Sequence, residues 1–250
     1  MPEPSASRRS ANGPEADAVR SEGSREAHQV LLSPSLMCAD QLRLGEEIDQ
    51  LVQLGVDWLH LDIMDGHYVP NYTFGTDQCL TLGQAYDLPL DMHLMVDEPD
   101  RWGPLFAGFG TNPIVSIHPE TTWHPARTLQ AIRDAGARPG LAVDPGARPE
   151  QFRNLLGMVE LVLIMCVSPG YSGQKLLPWT LDSVREAREL RESMGLSYRI
   201  EVDGNVSWEN IPAMLDAGAD VLVAGTSSLF DPSMTRVDAA ARMNGLIGRD

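Results

Sequence analysis

The chain has 250 residues, 43% of them hydrophobic and 22% charged, and its 19 basic against 35 acidic side chains give a formal charge of −16. These values fit one globular domain with a tail, and the acidity, with no block of Lys or Arg, argues against a nucleic-acid partner. The longest apolar runs are strand-sized, far below the roughly 20 residues that cross a bilayer, so a membrane protein is not expected.

Cysteine usage and the N-terminus bear on the compartment. Cys38, Cys79 and Cys166 are too few and too far apart for a disulfide framework or a Cys-rich zinc site. The N-terminus lacks the apolar core of a secretory signal. We therefore expect a cytoplasmic protein.

Residues 1–28 differ in composition from the rest of the chain. They are rich in Ser, Pro, Glu, Arg and Ala, and Val19 is their only β-branched aliphatic residue. Such a segment cannot bury enough apolar surface to offset the entropy of ordering. The sequence therefore predicts a disordered extension over residues 1–28 and a folded domain over residues 29–250.

From Gln29 onward, short apolar runs alternate with longer amphipathic stretches, a pattern typical of repeated βα units around a parallel sheet. The predicted strands are Val30–Leu36, Trp58–Met64, Leu88–Met95, Ile114–His118, Arg138–Val143, Leu161–Val167, Tyr198–Val202 and Val221–Ala224. Predicted helices between them include Gln41–Leu54, Arg127–Ala135, Pro178–Ser193 and Ile211–Ala217. Eight repeats in about 220 residues favour an α/β fold of the (β/α)8 barrel type over an open doubly wound sheet, and place any chemistry at the C-terminal strand ends.

Polar side chains at the ends of three predicted strands suggest a metal site. His60 and Asp62 lie two residues apart and so share one face of the second strand. His93 lies near the end of the third predicted strand and Asp203 directly follows the seventh, and the inward faces of these strands converge in a closed barrel. A lone His or Asp in a strand is usually structural, but four at one rim favour a divalent ion. Two imidazoles and two carboxylates suit Zn²⁺, Mn²⁺, Fe²⁺ or Co²⁺ without distinguishing among them.

Glycine-rich turns follow the last three predicted strands. They are SPGYSGQ (Ser168–Gln174), DGN (Asp203–Asn205) and AGTSS (Ala224–Ser228). Loops after the late strands of a barrel often bind phosphate through backbone N–H groups, and glycine lets that backbone approach closely. Each turn alone is consistent with simple turn chemistry, but their joint placement predicts a phosphate site.

Four methionines, Met37, Met64, Met95 and Met165, lie at or near strand ends. Ordinary apolar packing explains any one of them. A ring of thioethers above a metal would also exclude water without offering a competing hard ligand, which would protect a proton-labile intermediate.

Six motifs in order and in register carry a family resemblance: SPSLMCAD, HLDIMDGHYVPN, LPLDMHLMV, VSPGYSGQK, EVDGN and VAGTSSLF. Together they span Gln29–Phe230 and resemble the ribulose-phosphate 3-epimerase family. The resemblance implies a (β/α)8 barrel that epimerises a ketose phosphate at C3 with the help of one divalent metal ion (Zn, Mn, Fe, Co or Mg). It also implies a homo-oligomer.

Residue by residue, the resemblance implies that His60, Asp62, His93 and Asp203 bind the metal and that Asp62 and Asp203 form the acid/base pair. The substrate-binding residues that it implies are Ser35, Met64, Met95, Met165, Gly170, Gly173, Gly204, Asn205, Gly225 and Thr226. Removing the weakly acidic C3 proton needs a positioned base and stabilisation of charge on the C2 oxygen. Inversion then needs an acid on the opposite face of a planar cis-enediolate, which explains two aspartates.

Departures from the commonest family pattern bear on the substrate. Gly170-Tyr171-Ser172-Gly173 replaces GFGG, and Asn205 stands where the family has Gly, filling space near the phosphate. The motifs SPSLMC, IHPET and GTSSLF look more like the allulose-6-phosphate 3-epimerase branch. We therefore favour D-allulose 6-phosphate/D-fructose 6-phosphate over D-ribulose 5-phosphate/D-xylulose 5-phosphate.

Two other functions are compatible with a phosphate-binding barrel. A sugar- or nucleotide-phosphate decarboxylase would place a Lys among the carboxylates, but Lys175, the only lysine, is predicted in a loop. A non-catalytic sugar-phosphate binder would have a broken metal set, and here all four residues are present.

Overall fold

The computed structural model describes residues 29–249, so the extension predicted over residues 1–28 lies outside the described residues. Eight parallel strands form one sheet. From β2 to β8 each strand pairs with the one that follows it in the chain, and β8 pairs with β1. The strands are β1 Leu31–Pro34, β2 Leu59–Met64, β3 Leu90–Met95, β4 Ile114–Ile117, β5 Arg138–Val143, β6 Leu161–Met165, β7 Arg199–Asp203 and β8 Val221–Ala224. The predicted (β/α)8 barrel is thus confirmed.

Seven α-helices alternate with the strands in the described part of the chain. They are α1 Leu44–Gln53, α2 Thr76–Ala85, α3 Pro99–Phe106, α4 Pro125–Asp134, α5 Thr180–Met194, α6 Ile211–Ala217 and α7 Arg236–Ile247. Between β5 and β6 the chain forms two short 3₁₀ helices, Pro149–Phe152 and Leu156–Met158, in place of an α-helix. Within residues 29–249, no helix is both long and apolar enough to span a bilayer.

Several predicted boundaries extend past the hydrogen-bonded elements. β1 ends at Pro34 rather than Leu36 because the chain turns into a 3₁₀ helix, in which the Cys38 N–H donates to the Ser35 carbonyl at 3.0 Å. β6 ends two residues before Val167. Leu36 and Val167 are nonetheless buried, and because burial continues into the loop, an apolar pattern cannot locate the end of a ladder.

The barrel closes between β1 and β2 with few bonds. One parallel bridge joins Ser35 to His60, and the N–H groups of Asp57 and Trp58 both approach the Leu32 carbonyl, at 3.0 and 3.3 Å. The closing bridge therefore joins the residue after β1 to the second residue of β2 and links two residues of the predicted site.

Strand alternation separates an apolar outer face from a polar interior. On β2, Leu59, Leu61 and Ile63 belong to the large cluster that includes the helix residues, whereas His60 and Asp62 alternate with them. An apolar layer of Trp58, Ile114, Leu161 and Val221 fills the interior near the N-terminal strand ends. The polar side chains therefore occupy the middle and the C-terminal end of the barrel, the usual place for chemistry in this fold.

Candidate active site

The four predicted metal-binding residues meet at the C-terminal end of the barrel. His60 and Asp62 come from β2, His93 from β3 and Asp203 from the end of β7. Asp62 pairs with His93 in the β2–β3 register. Each of the four side chains offers one nitrogen or oxygen as a ligand atom, and these four atoms all lie within 4.8 Å of one another. The structure thus brings together residues that are up to 143 positions apart in the chain, from His60 to Asp203.

Two imidazole nitrogens in this cluster have no hydrogen-bond partner although they are buried: Nε2 of His60 and Nδ1 of His93. They lie 3.3 and 3.4 Å from Asp62 Oδ1, and 4.0 and 3.8 Å from Asp203 Oδ2. A buried polar atom without a partner is costly. A divalent cation would satisfy both nitrogens and both carboxylates, so this donor set fits the metal expected from the sequence.

The remaining nitrogen of His60 is fixed by a residue that the sequence reasoning missed. Nδ1 of His60 donates to Asp91 Oδ2 at 2.7 Å, and the Ser33 hydroxyl donates to the same oxygen at 2.9 Å. This bond leaves Nε2 of His60 facing the cluster, where it can bind a metal once its own proton is lost. Asp91 lies two residues before His93 on β3, so strand alternation alone could have placed it in the interior.

Glu201 lies beneath the cluster, fully buried, with Oε1 at 3.9 Å from Nδ1 of His60. Burial and the negative charge of Asp91 raise the pKa of Glu201 well above its ordinary value. Asp91 Oδ1 and both oxygens of Glu201 have no hydrogen-bond partner. A neutral Glu201 carboxyl would satisfy these atoms by donating its proton to Asp91.

The two aspartates of the cluster have opposite proton affinities. Burial alone would raise the pKa of Asp62, but His60 and His93 outweigh it and hold that pKa far below its ordinary value. Burial, together with the charge of Asp62, raises the pKa of Asp203 to about 7. Two carboxyl groups with pKa values driven apart are the usual arrangement of an acid and a base.

A cleft opens above the cluster, with about 570 Å³ of empty space that includes the solvent at its mouth. All the predicted substrate-binding residues line it: Ser35, Met64, Met95, Met165, Gly170, Gly173, Gly204, Asn205, Gly225 and Thr226. Met37 also lines the cleft, so all four methionines identified in the sequence are there. The Ser35 hydroxyl donates to Asp62 Oδ2 at 2.7 Å, which orients one aspartate at the floor of the cleft.

Comparison with known proteins assigns the family. The model of the Ribulose-phosphate 3 epimerase family matches residues 31–230. The chain belongs to this family. It is therefore an epimerase, an isomerase that acts on a ketose phosphate at C3, as the resemblance implied.

Curated relatives of the epimerase cover most of its length. Ribulose-phosphate 3-epimerase 1 of Cupriavidus necator is 42% identical over 84% of this chain and 88% of the relative. Ribulose-phosphate 3-epimerase of Escherichia coli K12 is 39% identical over 84% of this chain and 93% of the relative.

Solved structures share the fold at low sequence identity. A 3-hexulose-6-phosphate synthase is similar with a TM-score of 0.62 and 16% identity, covering 86% of this chain and 99% of that chain. KGPDC from Streptococcus mutans is similar with a TM-score of 0.63 and 15% identity, covering 88% of this chain and 98% of that chain. At such identities the similarity shows the barrel fold alone.

The glycine loops of the epimerase are tightly packed where they meet the cleft. Gly204 has φ +106°, and a Cβ there would lie 2.5 Å from Val167 Cγ2 and 2.9 Å from the Val167 backbone nitrogen. Only glycine fits that position without displacing the neighbouring loop. The loop after β2 closes over the same region, since the Asn71 side chain donates to the Gly170 carbonyl at 3.0 Å.

The Asn205 side chain lines the cleft and also joins neighbouring loops. Its side-chain oxygen accepts from the Leu176 N–H at 3.2 Å and from Asn210 Nδ2 at 2.7 Å, while its Nδ2 donates to the Ser227 hydroxyl at 3.3 Å. The amide thus ties together the loops that follow β6, β7 and β8. Lys175 is exposed and does not line the cleft, so no lysine stands among the carboxylates.

Proposed function

We propose that the epimerase inverts C3 with Asp62 and Asp203 as its acid/base pair and with one divalent metal ion held by His60, Asp62, His93 and Asp203. The observation that carries this proposal is the meeting, at the floor of one cleft, of two aspartates from β2 and β7 with oppositely shifted pKa values. One group can then remove a proton while the other supplies one, as inversion requires.

The aspartates divide the reaction between them. A carboxylate with a low pKa, such as Asp62, is ionised at neutral pH and can accept the C3 proton. A carboxyl with a pKa of about 7, such as Asp203, can hold a proton and return it to the opposite face of the cis-enediolate. The roles exchange in the reverse direction, because the forward reaction leaves Asp62 protonated and Asp203 ionised.

The bound metal ion would supply stabilisation of the negative charge that develops on the C2 oxygen. The protein's own contribution is to hold its donors in place: Asp91 orients His60 through a 2.7 Å bond, and Ser35 orients Asp62. The nitrogen and oxygen donors suit several divalent ions, so the choice among them follows from availability.

The methionines exclude water above the reacting carbon. Met64, Met95 and Met165 are at most 4% exposed, and Met64 and Met95 pack against Val69 from the loop after β2. Their thioethers neither donate protons nor compete with oxygen ligands. We infer that they protect the intermediate from exchange with solvent and from side reactions.

The phosphate would bind to backbone N–H groups at the far side of the cleft. Gly170–Gly173, Gly204 and Gly225 line it after β6, β7 and β8. Within the lining, no Lys or Arg is present among the described residues. An anionic substrate in a chain of charge −16 is therefore held by oriented amides and by the metal.

A hexulose 6-phosphate is the proposed substrate, D-allulose 6-phosphate interconverting with D-fructose 6-phosphate. Support comes from SPSLMC, IHPET and GTSSLF, three motifs that resemble those of the allulose-6-phosphate 3-epimerase branch. The second candidate is D-ribulose 5-phosphate with D-xylulose 5-phosphate, and the names of the curated relatives favour it.

The two substrates are best compared on one enzyme preparation. We expect metal-replete protein to turn over both sugars, with the larger kcat/KM for D-allulose 6-phosphate, and to exchange the C3 hydrogen with solvent in D2O. A larger kcat/KM for D-ribulose 5-phosphate would reverse the substrate assignment. If the C3 hydrogen exchanges in neither sugar, the acid/base proposal is refuted.

A further inference from the structure

His118 follows β4 directly and lies fully buried between the metal cluster and the protein surface. Its Nε2 is 2.9 Å from Nε2 of His93, the nitrogen that faces away from the cluster. Its Nδ1 is 3.0 Å from the Tyr68 hydroxyl and 3.2 Å from Glu120 Oε1. Tyr68 in turn donates to Glu120 Oε1 at 2.7 Å. These contacts form one continuous chain from His93 to Glu120, whose side chain is 41% exposed.

When Nδ1 of His93 is a metal ligand, only one assignment of donors and acceptors is consistent for the hydrogen bonds between His93 and Glu120. A neutral imidazole that binds metal through one nitrogen carries its proton on the other. Nε2 of His93 must then donate, and Nε2 of His118 must accept. The proton of His118 therefore lies on Nδ1, where Glu120 and the Tyr68 oxygen are both available as acceptors.

We propose that His118 is a positioning residue for the metal ligand His93, and that Glu120 and Tyr68 hold His118 in its Nδ1–H tautomer. The inference rests on the metal site of the proposed function. His118 accepts the proton of His93, fixes the rotation of that ring and makes its Nδ1 lone pair a stronger donor. Partners of this kind typically change metal affinity by about 10- to 100-fold when removed.

The two histidine ligands thus have unlike supports. His60 donates directly to a buried carboxylate, Asp91. His93 reaches the carboxylate of Glu120 only through a neutral ring. A charged acceptor polarises an imidazole more than a neutral one. His118 therefore adds less basicity to His93 than Asp91 adds to His60, and its main contribution is to fix the orientation of the His93 ring.

The tautomer of His118 can be read by NMR on the parent protein, with one variant needed only to assign the resonance. Protein labelled with ¹⁵N-histidine and loaded with Zn²⁺, a diamagnetic probe, should show His118 as a neutral ring protonated at Nδ1. A spectrum of His118→Gln assigns the resonance by its loss. A ring protonated at Nε2 would overturn the proposal.

Zn²⁺ affinity of matched variants tests the role of the acceptor. His118→Gln keeps an acceptor oxygen near the position of Nε2, whereas His118→Met has a similar length and none. We expect Zn²⁺ binding within about 3-fold of the parent for Gln and at least about tenfold weaker for Met. Exposed His124, changed to Gln, is the control and should bind Zn²⁺ as the parent does.

Two outcomes contradict the positioning role. Equal losses in the Gln and Met variants would make His118 a packing residue only, and unchanged affinity in the Met variant would remove any role for the bond. If His118→Met does not fold, the tautomer measurement on the parent still decides. Both measurements use Zn²⁺ without sugar, so a negative result there refutes the role of His118 only. Absence of C3 exchange, measured with sugar, refutes the proposed function instead.

Discussion

Asp62 and Asp203 face each other at the floor of the cleft, with one carboxylate oxygen of each within 4.8 Å of the other. Their strands, β2 and β7, are not neighbours in the sheet, so this approach exists only because the barrel is closed. Each carboxylate affects the proton affinity of the other, and the charge of Asp62 contributes to the raised pKa of Asp203. A change in either residue should therefore affect both proton transfer and metal binding.

Asp203→Asn should abolish epimerisation while leaving the fold intact. An amide cannot accept or return the C3 proton, and loss of acid/base catalysis typically costs about 10²- to 10⁴-fold. Turnover of both sugar phosphates and thermal unfolding should be measured on the same preparation. Exposed Asp216 on α6, changed to Asn, is the matched control and should retain activity. Full activity in Asp203→Asn would remove that residue from the mechanism.

Zn²⁺ binding should weaken as the pH falls from 8 to 6. The metal-free site holds a proton on His60, whose pKa is raised well above its ordinary value by Asp91 and Asp62 against the effect of burial. A metal that binds Nε2 of His60 must displace this proton. The pKa of His93 is lowered by burial, so it contributes none.

The expected size of this pH effect is at least about tenfold in Kd, since each displaced proton contributes up to tenfold per pH unit. Calorimetry in two buffers of different ionisation enthalpy gives the number of protons released. A Kd that stays constant between pH 6 and 8 with no proton release would contradict the assigned protonation of the free site.

Glu201→Gln should be tolerated and Glu201→Met should not. We infer that a neutral Glu201 carboxyl donates to Asp91 Oδ1, an oxygen that otherwise has no partner; the Gln amide can replace that donor, whereas Met cannot. We expect the free energy of unfolding to fall by less than about 1 kcal/mol for Gln and by roughly 1–3 kcal/mol more for Met. Urea unfolding of the two variants checks this, and equal stabilities would show that Glu201 donates nothing to Asp91.

Gly204→Ala should be more harmful than Gly173→Ala. Both glycines have positive φ, +106° and +81°, but an added Cβ at Gly204 would meet Val167 at 2.5 Å, and one at Gly173 would meet nothing within 4 Å. Backbone strain alone costs roughly 1–2 kcal/mol, and the contact at Gly204 adds to it. Urea unfolding and the KM for sugar phosphate should both rank the variants in this order, and the reverse order would contradict the packing described for these loops.

Much of the fold was readable from the sequence because each βα unit carries its own signal. β5, β8 and α6 begin and end where the apolar pattern predicts. Boundaries were less accurate at β1 and β6, where buried residues continue into loops. The β5–β6 connection contains no α-helix, although Phe152, Leu155, Leu156 and Val159 follow helical spacing.

The supporting residues of the site were harder to predict. Asp91, Glu201 and His118 are buried polar groups whose partners lie on other strands. A single sequence places them on the interior face but does not show which nitrogen or oxygen they contact. Asn205 illustrates the same limit, because its amide bonds to Leu176, Asn210 and Ser227 on loops that follow three different strands.

The sequence by itself determined the barrel, the family and the four residues that could bind a metal, since strand periodicity and short motifs are local properties. Only the tertiary structure decided how those residues act together. Closure of the barrel sets the distance between Asp62 and Asp203, leaves one nitrogen each on His60 and His93 without a partner, and connects His93 through His118 to Glu120. Proton affinities depend on burial and on charges a few ångströms away, and these are fixed when strands distant in the chain become neighbours.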